Sequence, residues 1–448
     1  MEIHREPRVG MTERIERLKK DVLSRQSPLP QHHNSRRGSW LPDGNPWTRN
    51  VALHRAWQPG MSVGEVRAAT VRGLAQLSEV QLRPDWQIIG EHFTCQGFVN
   101  LDDAGLREQL PRLAEFGLGE DDIPALKDAQ RRWHENHRGA TFAGVGTPAF
   151  NQRPEEHDER GNTVYMSVGW VENHSIRDYP KLLRLGFAGI QAEIEATMAS
   201  RDLCDPAYAE REAFWRSGLL ICEAGILLGQ RYANLAREQA EASACPVERQ
   251  RLLDLAERCE RVPAHGARTL LEAAQALWFG HVLTCGEDGI NANSLGRLDQ
   301  FFQPYYEADL AAGKIDRDGA LEIMAELTCK FYLDYDVQAI TLAGRNAEGT
   351  DLTNEMTYLI LEATEQVGVL RDLSVRVHGD SPEPLLQQCA RMMAHGGGIP
   401  YLFNDDCFIP ALTERGIRPE HVGDYSPIGC IELTIPGKAN PHAVSGWF

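Results

Sequence analysis

A thiol and a carboxylate stand two residues apart near the end of the sequence, at Cys430 and Glu432. Side chains at positions i and i+2 of an extended segment project to the same side, so both groups would face one cavity. Gly429 permits close backbone approach, and Pro427 and Pro436 stiffen the flanks. The arrangement predicts a sulfur-based reaction centre with an adjacent general base. The alternative is a buried cysteine beside a surface glutamate, which is the commoner explanation of a C-x-E pattern taken alone.

The other cysteines form no local motif. The chain has 10 cysteines, and no two of them have the C-x-x-C spacing. This argues against a zinc knuckle or an iron–sulfur site built from neighbouring residues. Most of these cysteines lie in apolar helical stretches, so we expect reduced, buried side chains that act as small hydrophobes.

Composition sets the class of protein. The 448 residues are 42% hydrophobic and 25% charged, which excludes a disordered or fibrous chain. The net charge of −18 disfavours broad binding to nucleic acid or to anionic membranes. No run of eighteen apolar residues is present, and the first residues lack the apolar core of a signal peptide, so we expect a cytoplasmic protein. The length predicts two or three domains, or one large enzyme fold.

Two patterns of secondary structure divide the chain. Before about residue 330 helical periodicity dominates, with an irregular arm at 27–50 and one short strand at 84–90. From about 330 onwards strands and helices alternate, which predicts an α/β fold with a helical layer. The predicted helices are 11–26 (Thr12 as N-cap), 62–78, 103–115, 121–137, 178–200, 206–242, 246–260, 266–284, 299–311, 316–334, 353–367 and 382–396, and the later predicted strands are 337–342, 372–377 and 401–403.

Gly429–Glu432, preceded by Phe403–Asp406 and Asp424–Tyr425, strongly resembles the cysteine loop of glycyl radical enzymes. The nearest resemblance is to the branch that contains glycerol and diol dehydratases and choline trimethylamine-lyase. Similar blocks occur in order along residues 12–448. They are Asn173-His174-Ser175 with Asp178-Tyr179, Gly296-Arg297-Leu298-Asp299-Gln300 with Pro304-Tyr305-Tyr306, and Asp372-Leu373-Ser374-Val375-Arg376-Val377-His378.

The resemblance implies a fold. Such enzymes are ten-stranded α/β barrels of two five-stranded halves, surrounded by helices, with the cysteine loop threaded through the centre. This chain is expected to carry the N-terminal helical region and about the first half-barrel. Residues 1–448 would then be one partial pyruvate formate-lyase-like domain, in which residues 1–60 form an N-terminal helix and an irregular arm.

The resemblance also implies a mechanism. In these enzymes a glycine in a C-terminal R-V-x-G-Y loop holds a stable backbone radical, which an S-adenosylmethionine radical activase installs. That glycine takes a hydrogen atom from the loop cysteine, and the resulting thiyl radical takes a hydrogen atom from a carbon of a small substrate and later returns it. By residue matching, Cys430 would be the thiyl site and Glu432 the general base that deprotonates a substrate hydroxyl. His174 and Asn291 would contact polar groups of the substrate, although a structural role for His174 carries equal weight.

Several features depart from, or qualify, the family pattern. Gly429 stands where pyruvate formate-lyase has a second cysteine, which favours elimination over acetyl transfer. Asn291-Ala292 replaces the His-Ser pair of many dehydratases. Arg376 and His378 are expected to have structural roles. A solvated or capping role is expected for three acidic residues, Asp299, Asp334 and Asp336.

The sequence contains no R-V-x-G-Y, and it ends 16 residues after Glu432. We therefore expect the glycyl radical domain to be absent, no tightly bound cofactor, and a second polypeptide that supplies the radical glycine, within an assembly whose intact relatives are homodimers. An isolated half-barrel would expose sheet edges and associate or precipitate. Two alternatives stay open: a catalytically inactive fragment or interaction subunit, and a thiol hydrolase in which Cys430 works with a histidine.

Overall fold

The computed structural model describes residues 11–25, 45–93, 106–142, 156–157, 163–165, 172–202, 204–288, 293–333, 338–368, 372–429, 432–438 and 443–445. The α-helices in these residues are α1 (Glu13–Arg25), α2 (Thr48–Ala56), α3 (Val63–Leu77), α4 (Leu106–Leu113), α5 (Ile123–Phe142), α6 (Tyr179–Ala199), α7 (Tyr208–Ala242), α8 (Pro246–Arg261), α9 (Leu270–Asp288), α10 (Leu298–Ala311), α11 (Arg317–Leu333), α12 (Glu355–Val367), α13 (Glu383–Ala394), α14 (Asp405–Glu414) and α15 (Pro419–Val422). The strands are β1 (Glu156–His157), β2 (Thr163–Tyr165), β3 (Glu172–Ile176), β4 (Asn293–Ser294), β5 (Ile340–Ala343), β6 (Leu373–Val377), β7 (Tyr401–Asn404), β8 (Ser426–Ile428), β9 (Glu432–Thr434) and β10 (Ala443–Ser445).

Five parallel strands, β3 to β7, follow one another in sequence order. β3 pairs with β4, and β5, β6 and β7 form a second parallel ladder. A parallel bridge between Gly296 and Ile340 joins the two groups, and the Thr341 N–H donates to the Gly296 carbonyl over 2.9 Å. β10 lies antiparallel to β3 on the other side. The predicted five-stranded half-barrel is confirmed, with helices between successive strands.

Helix α9 lies at the centre of the helical layer. Its residues Ala273, Leu277, Trp278 and Phe279 are all fully buried. The helix packs against α3, α6, α7, α10 and α11. Its polar residues Glu272, Gln275 and His281 are buried as well, so the helix lies in the core rather than at the surface. This helix connects the N-terminal helical layer to the half-barrel.

The predicted strand at 84–90 is wrong. The segment is a succession of turns and extended residues whose backbone groups bond to side chains. Glu326 accepts the N–H groups of Gln87 and Ile88 over 2.7 and 2.6 Å. Gln275 accepts the Ile89 N–H over 2.9 Å and donates to the Ile89 carbonyl over 2.7 Å. Buried side chains therefore satisfy polar groups that a neighbouring strand would otherwise have satisfied.

Replacing Gln275 by leucine should destabilise the fold. The leucine fills a similar volume but leaves the N–H and carbonyl of Ile89 buried without these two partners, at a cost of about 2–3 kcal/mol. Gln366→Leu is the matched control, because Gln366 is 7% exposed and its side chain donates only one long bond, of 3.5 Å, to Glu362. Urea unfolding followed by circular dichroism measures both variants. Equal losses of unfolding free energy in the two variants would contradict the view that Gln275 satisfies the backbone of Ile89.

Most other sequence predictions agree with the structure. Thr12 accepts the Ile15 N–H over 3.3 Å at the start of α1, as predicted for its N-cap. Residues 27–44 of the arm predicted at 27–50 lie outside the described residues, and the prediction is wrong at its end, because residues 48–50 begin α2. These three polar residues are buried, so α2 lacks the amphipathic pattern that identifies a helix in sequence.

The cysteine prediction is confirmed for five of the eight cysteines whose burial is described. Cys222, Cys259, Cys285, Cys329 and Cys389 are buried, and the others are exposed. All eight are free thiols. Among the described helices, none is both long enough and apolar enough to cross a membrane.

Candidate functional site

Glu432, the base predicted from sequence, belongs to a β-hairpin. β8 and β9 pair antiparallel, with Ile428 opposite Glu432 at the tip. The turn between them contains Gly429, whose φ of 52° lies in the left-handed region that glycine favours. Cys430 and Ile431 lie outside the described residues. Glu432, the predicted base, is half-buried and is the first residue of β9.

One serine fixes the start of this turn. The Ser294 hydroxyl oxygen, on β4, accepts the N–H of Gly429 over 3.1 Å and the N–H of Ala339 over 3.2 Å. A second link joins the hydroxyls of Thr341, on β5, and Ser426, on β8, at 2.7 Å. All of these side chains and the two backbone N–H groups are buried, so the hydrogen bonds that fix the hairpin to the half-barrel are shielded from water.

Replacing Ser294 by alanine should loosen the hairpin. Two buried backbone N–H groups would lose their acceptor, at a cost of about 1–3 kcal/mol. Faster hydrogen exchange at the amides of 426–434 is the expected signature, measured by mass spectrometry. Ser374→Ala, at an equally buried serine of β6, is the matched control. If the amides of 426–434 exchange equally slowly in both variants, Ser294 does not anchor the turn.

Two arginines hold the chain that leads into the hairpin. Arg376, on β6, donates to the carbonyls of Gly423 and Tyr425 over 2.8 and 3.2 Å. Arg297, at the start of α10, donates to the same Gly423 carbonyl over 2.9 Å and to Ala343, at the end of β5, over 2.8 Å. Burial lowers the pKa of Arg297 to about 10, and the nearby charge of Arg376 adds to the lowering. The hairpin stem therefore crosses the carboxyl ends of the parallel strands, where α/β proteins place their sites.

Asp405 neutralises the buried charge of Arg376. Its two carboxylate oxygens accept from Nε and Nη2 of Arg376 over 2.9 and 2.8 Å, and Oδ1 also accepts the Tyr425 hydroxyl over 2.6 Å. Burial alone would raise the pKa of Asp405, but these bonds and the arginine charge outweigh it and hold the pKa below its usual value. The Arg376 guanidinium also lies 4.0 Å from the centre of the Tyr425 ring. The structural role predicted for Arg376 is confirmed.

The solvated or capping role predicted for Asp299 is wrong. Asp299 is fully buried, and its Oδ2 accepts the N–H of Ala343 over 2.6 Å and the hydroxyl of Thr357 over 2.7 Å. Burial raises the pKa of this carboxyl despite those bonds. Asp334 and Asp336 lie outside the described residues. His378 contacts Asp351 over 3.1 Å, as a structural residue would.

The remaining predicted site residues are only partly described. His174 lies in the middle of β3, opposite Ala443 of β10, and its side chain is not described. Asn291 lies outside the described residues. Reasoning from sequence missed Ser294 and Arg297 as anchors of the hairpin, although Arg297 belongs to one of the segments that resemble the family, Gly296–Gln300. Neither residue type signals by itself that it will meet a loop far along the chain.

A cavity of about 600 Å³ lies beside the hairpin stem. Ile176, Arg297 and Tyr305 line one side of it, and Asp424 and Lys438 line the other. Lys438 and Asp424 form an ion pair of 3.2 Å across the stem. Glu432 does not line this cavity, so the opening gives access to the base of the hairpin rather than to its tip.

Known proteins resemble this chain in sequence and in architecture. The chain is 33% identical to isethionate sulfite-lyase of Desulfovibrio desulfuricans over 294 residues, which cover 61% of the chain and 34% of that protein. It is 29% identical to trans-4-hydroxy-L-proline dehydratase of Clostridioides difficile over 317 residues, which cover 66% of the chain and 38% of that protein. The match thus spans little more than a third of these relatives.

A solved structure matches nearly the whole chain. The glycerol-bound form of the B12-independent glycerol dehydratase from Clostridium butyricum superposes with a TM-score of 0.75 at 27% identity. The superposition covers 97% of this chain and 56% of that one. Residues 11–448 match the sequence profile described as pyruvate formate lyase-like. The chain therefore belongs to the pyruvate formate lyase-like family of glycyl radical enzymes.

Proposed function

We propose that this chain supplies the thiol and the base of a glycyl radical lyase or dehydratase that acts on a small, polar, hydroxylated substrate. The observation that carries the proposal is the hairpin β8–β9. Glu432, two residues after Cys430 in the sequence, begins the strand β9 of this hairpin. Ser294 holds Gly429 in its turn, and Arg297 and Arg376 hold its stem at the carboxyl ends of the parallel strands. Rigid elements below a short turn are what a reaction needs when two groups must act together.

Each group has one task in the proposed reaction. The backbone radical of an activated glycine supplies hydrogen-atom abstraction. Cys430 would present its thiol for that abstraction and then remove a hydrogen atom from a substrate carbon. Glu432 would accept the proton of a substrate hydroxyl, which eases the loss of the neighbouring group. Radical chemistry of this kind also needs a site from which water is excluded.

The substrate class follows from the relatives and from the proposed base. Isethionate, glycerol and hydroxyproline, which appear in the names of related proteins, each carry a hydroxyl group. A glutamate beside the thiol suits a substrate of this kind. His174 and Asn291 are the residues proposed to contact its polar groups. In support, β3, which contains His174, pairs with β4, which begins two residues after Asn291 in the sequence.

The radical glycine is proposed to come from residues outside this sequence. Within the described residues, β7 pairs only with β6, and Tyr401 and Leu402 on β7 are 42% and 45% exposed. An open, apolar strand edge is a surface that a further strand or chain covers. We also propose that an S-adenosylmethionine radical activase acts on the assembly.

Anaerobic reconstitution tests the proposal. The chain is co-expressed with a neighbouring gene product that contains R-V-x-G-Y and with an activase, and then offered isethionate, glycerol, 1,2-propanediol and trans-4-hydroxy-L-proline. We expect the electron paramagnetic resonance doublet of a glycyl radical and consumption of at least one of these substrates. Stable assembly without any doublet, while the same activase charges an intact relative, would leave the inactive interaction subunit as the better description.

A further inference from the structure

Three side chains with ligand chemistry meet inside the helical layer, away from the hairpin. His92, His281 and Cys285 are at most 2% exposed, and their nitrogen and sulfur ligand atoms lie within 4.8 Å of one another. His281 and Cys285 stand four residues apart on one face of α9. His92 comes from the irregular segment that follows Gly90. Neither the proposed reaction nor any local sequence motif uses these three groups.

The spacing fits a metal ion. Cys285 Sγ lies 3.6 Å from His281 Nε2. A tetrahedral zinc ion with Zn–S of about 2.3 Å and Zn–N of about 2.0–2.1 Å would hold those atoms about 3.5 Å apart. The ligand atoms of the three residues lie within 4.8 Å of one another, so the His92 ring would need to move roughly 1 Å closer to the other two to complete the same geometry. A weak S–H···N hydrogen bond is the competing explanation of the same distance.

The surroundings also suit a ligand role for His281. The Tyr179 hydroxyl lies 3.4 Å from Nδ1 of His281, on the opposite side of the ring from Cys285. A hydroxyl at Nδ1 accepts the ring N–H and leaves Nε2 with its lone pair toward the sulfur, which is the usual outer support of a metal-bound histidine. Trp278 packs against both histidines, with ring centres 5.2 Å from His92 and 5.7 Å from His281. The apolar shell limits access of water to the cluster.

We propose that His92, His281 and Cys285 bind one zinc ion. Binding replaces the thiol proton of Cys285, which passes to solvent, and forms one Zn–S and two Zn–N bonds without any oxidation or reduction. Thiolate and imidazole are ligands that zinc accepts readily, and the fourth position takes a water molecule. The ion would tie the segment after Gly90, which has no strand partner among the described residues, to the central helix α9.

Cobalt substitution and metal analysis test this proposal on the purified 448-residue chain. Titration with Co²⁺ should produce a thiolate-to-metal charge-transfer absorption and visible ligand-field bands that saturate at one equivalent, and Zn²⁺ should remove them. Added Zn²⁺ should also raise the midpoint of thermal unfolding, because the ion binds the folded chain. Cys259→Ser is the matched control, since Cys259 is equally buried in a neighbouring helix.

Two variants give the decisive comparison. Cys285→Ser should abolish the charge-transfer absorption, whereas Cys259→Ser should retain it. His92→Gln keeps the cysteine and should weaken Co²⁺ binding by at least about 10-fold. Circular dichroism confirms that each variant is folded, and the His92 variant gives an answer even if Cys285→Ser unfolds. A wild-type chain without the absorption, or a Cys285→Ser protein that retains it, would overturn the proposal in favour of the hydrogen bond.

Discussion

Replacing Cys430 by alanine should abolish turnover in the reconstituted, activated assembly while leaving the glycyl radical signal intact. In the proposed mechanism the radical is installed on a glycine, so its formation does not need the thiol of Cys430. Removal of a hydrogen atom from the substrate, in contrast, would require that thiol. Product formation by chromatography and electron paramagnetic resonance on the same sample measure the two effects. Cys407→Ala, at an exposed cysteine of α14, is the matched control and should leave turnover unchanged.

The companion variant Glu432→Gln distinguishes the contribution of the base to the rate from that of the thiol. Losing a positioned general base typically lowers the rate by about 10²–10⁴-fold. Because glutamine preserves the size of the side chain, the hairpin should stay paired and the loss should appear in kcat more than in KM. Glu420→Gln, at an exposed glutamate of α15, is the control. A Cys430→Ala assembly that still turns over would remove the basis of the proposed mechanism, whatever the effect at Glu432.

The second large effect is expected at the buried ion pair below the hairpin. Arg376→Met should lower the free energy of unfolding by about 3–5 kcal/mol, because it leaves the Asp405 carboxylate buried without its cation. Arg376 also donates hydrogen bonds to three carbonyls, and each of them would lose this donor: those of Gly423, Tyr425 and Arg345. Urea unfolding followed by circular dichroism measures the loss.

A neighbouring pair provides the control. Arg345 and Asp406 form an ion pair of 2.7 Å in which the side chains are 23% and 42% exposed. Arg345→Met should therefore cost below about 1 kcal/mol, as expected for a pair in contact with water. A loss at Arg376 no larger than that at Arg345 would contradict the view that the buried pair anchors the hairpin stem.

The ion pair between Arg376 and Asp405 should also make the free energy of unfolding depend on pH. The folded-state pKa of Asp405 lies below its ordinary value, so its contribution to stability is present above the unfolded pKa of about 3.9 and is lost as the pH falls through the folded pKa. The difference in unfolding free energy between the wild type and Asp405→Asn should be largest above about pH 5 and shrink on further acidification. A difference that stays constant from pH 6 to pH 3 would show that the carboxylate charge is not responsible.

Sequence periodicity identified most of the elements, and two misses have clear causes. Residues 84–90 combine apolar side chains with a terminal glycine and so resemble a strand, but Glu326 and Gln275 supply the hydrogen bonds from helices far along the chain. Helix α2 begins with three buried polar residues, of which Arg49 donates to the Gly286 carbonyl at the end of α9 over 2.6 Å. In both cases tertiary partners, which no local pattern contains, decide the structure.

The sequence by itself determined the alternation of strands and helices after residue 330, the family resemblance, and the proximity of Cys430 and Glu432, because each depends on residues close together in the chain. Tertiary structure alone decided how the hairpin is held. Ser294 reaches it from β4, Arg297 from the start of α10 and Arg376 from β6, and Asp405 is buried against Arg376. It also brought His92 to α9. Buried polar groups need partners wherever the fold can place them, and that placement is not written in the local order of residues.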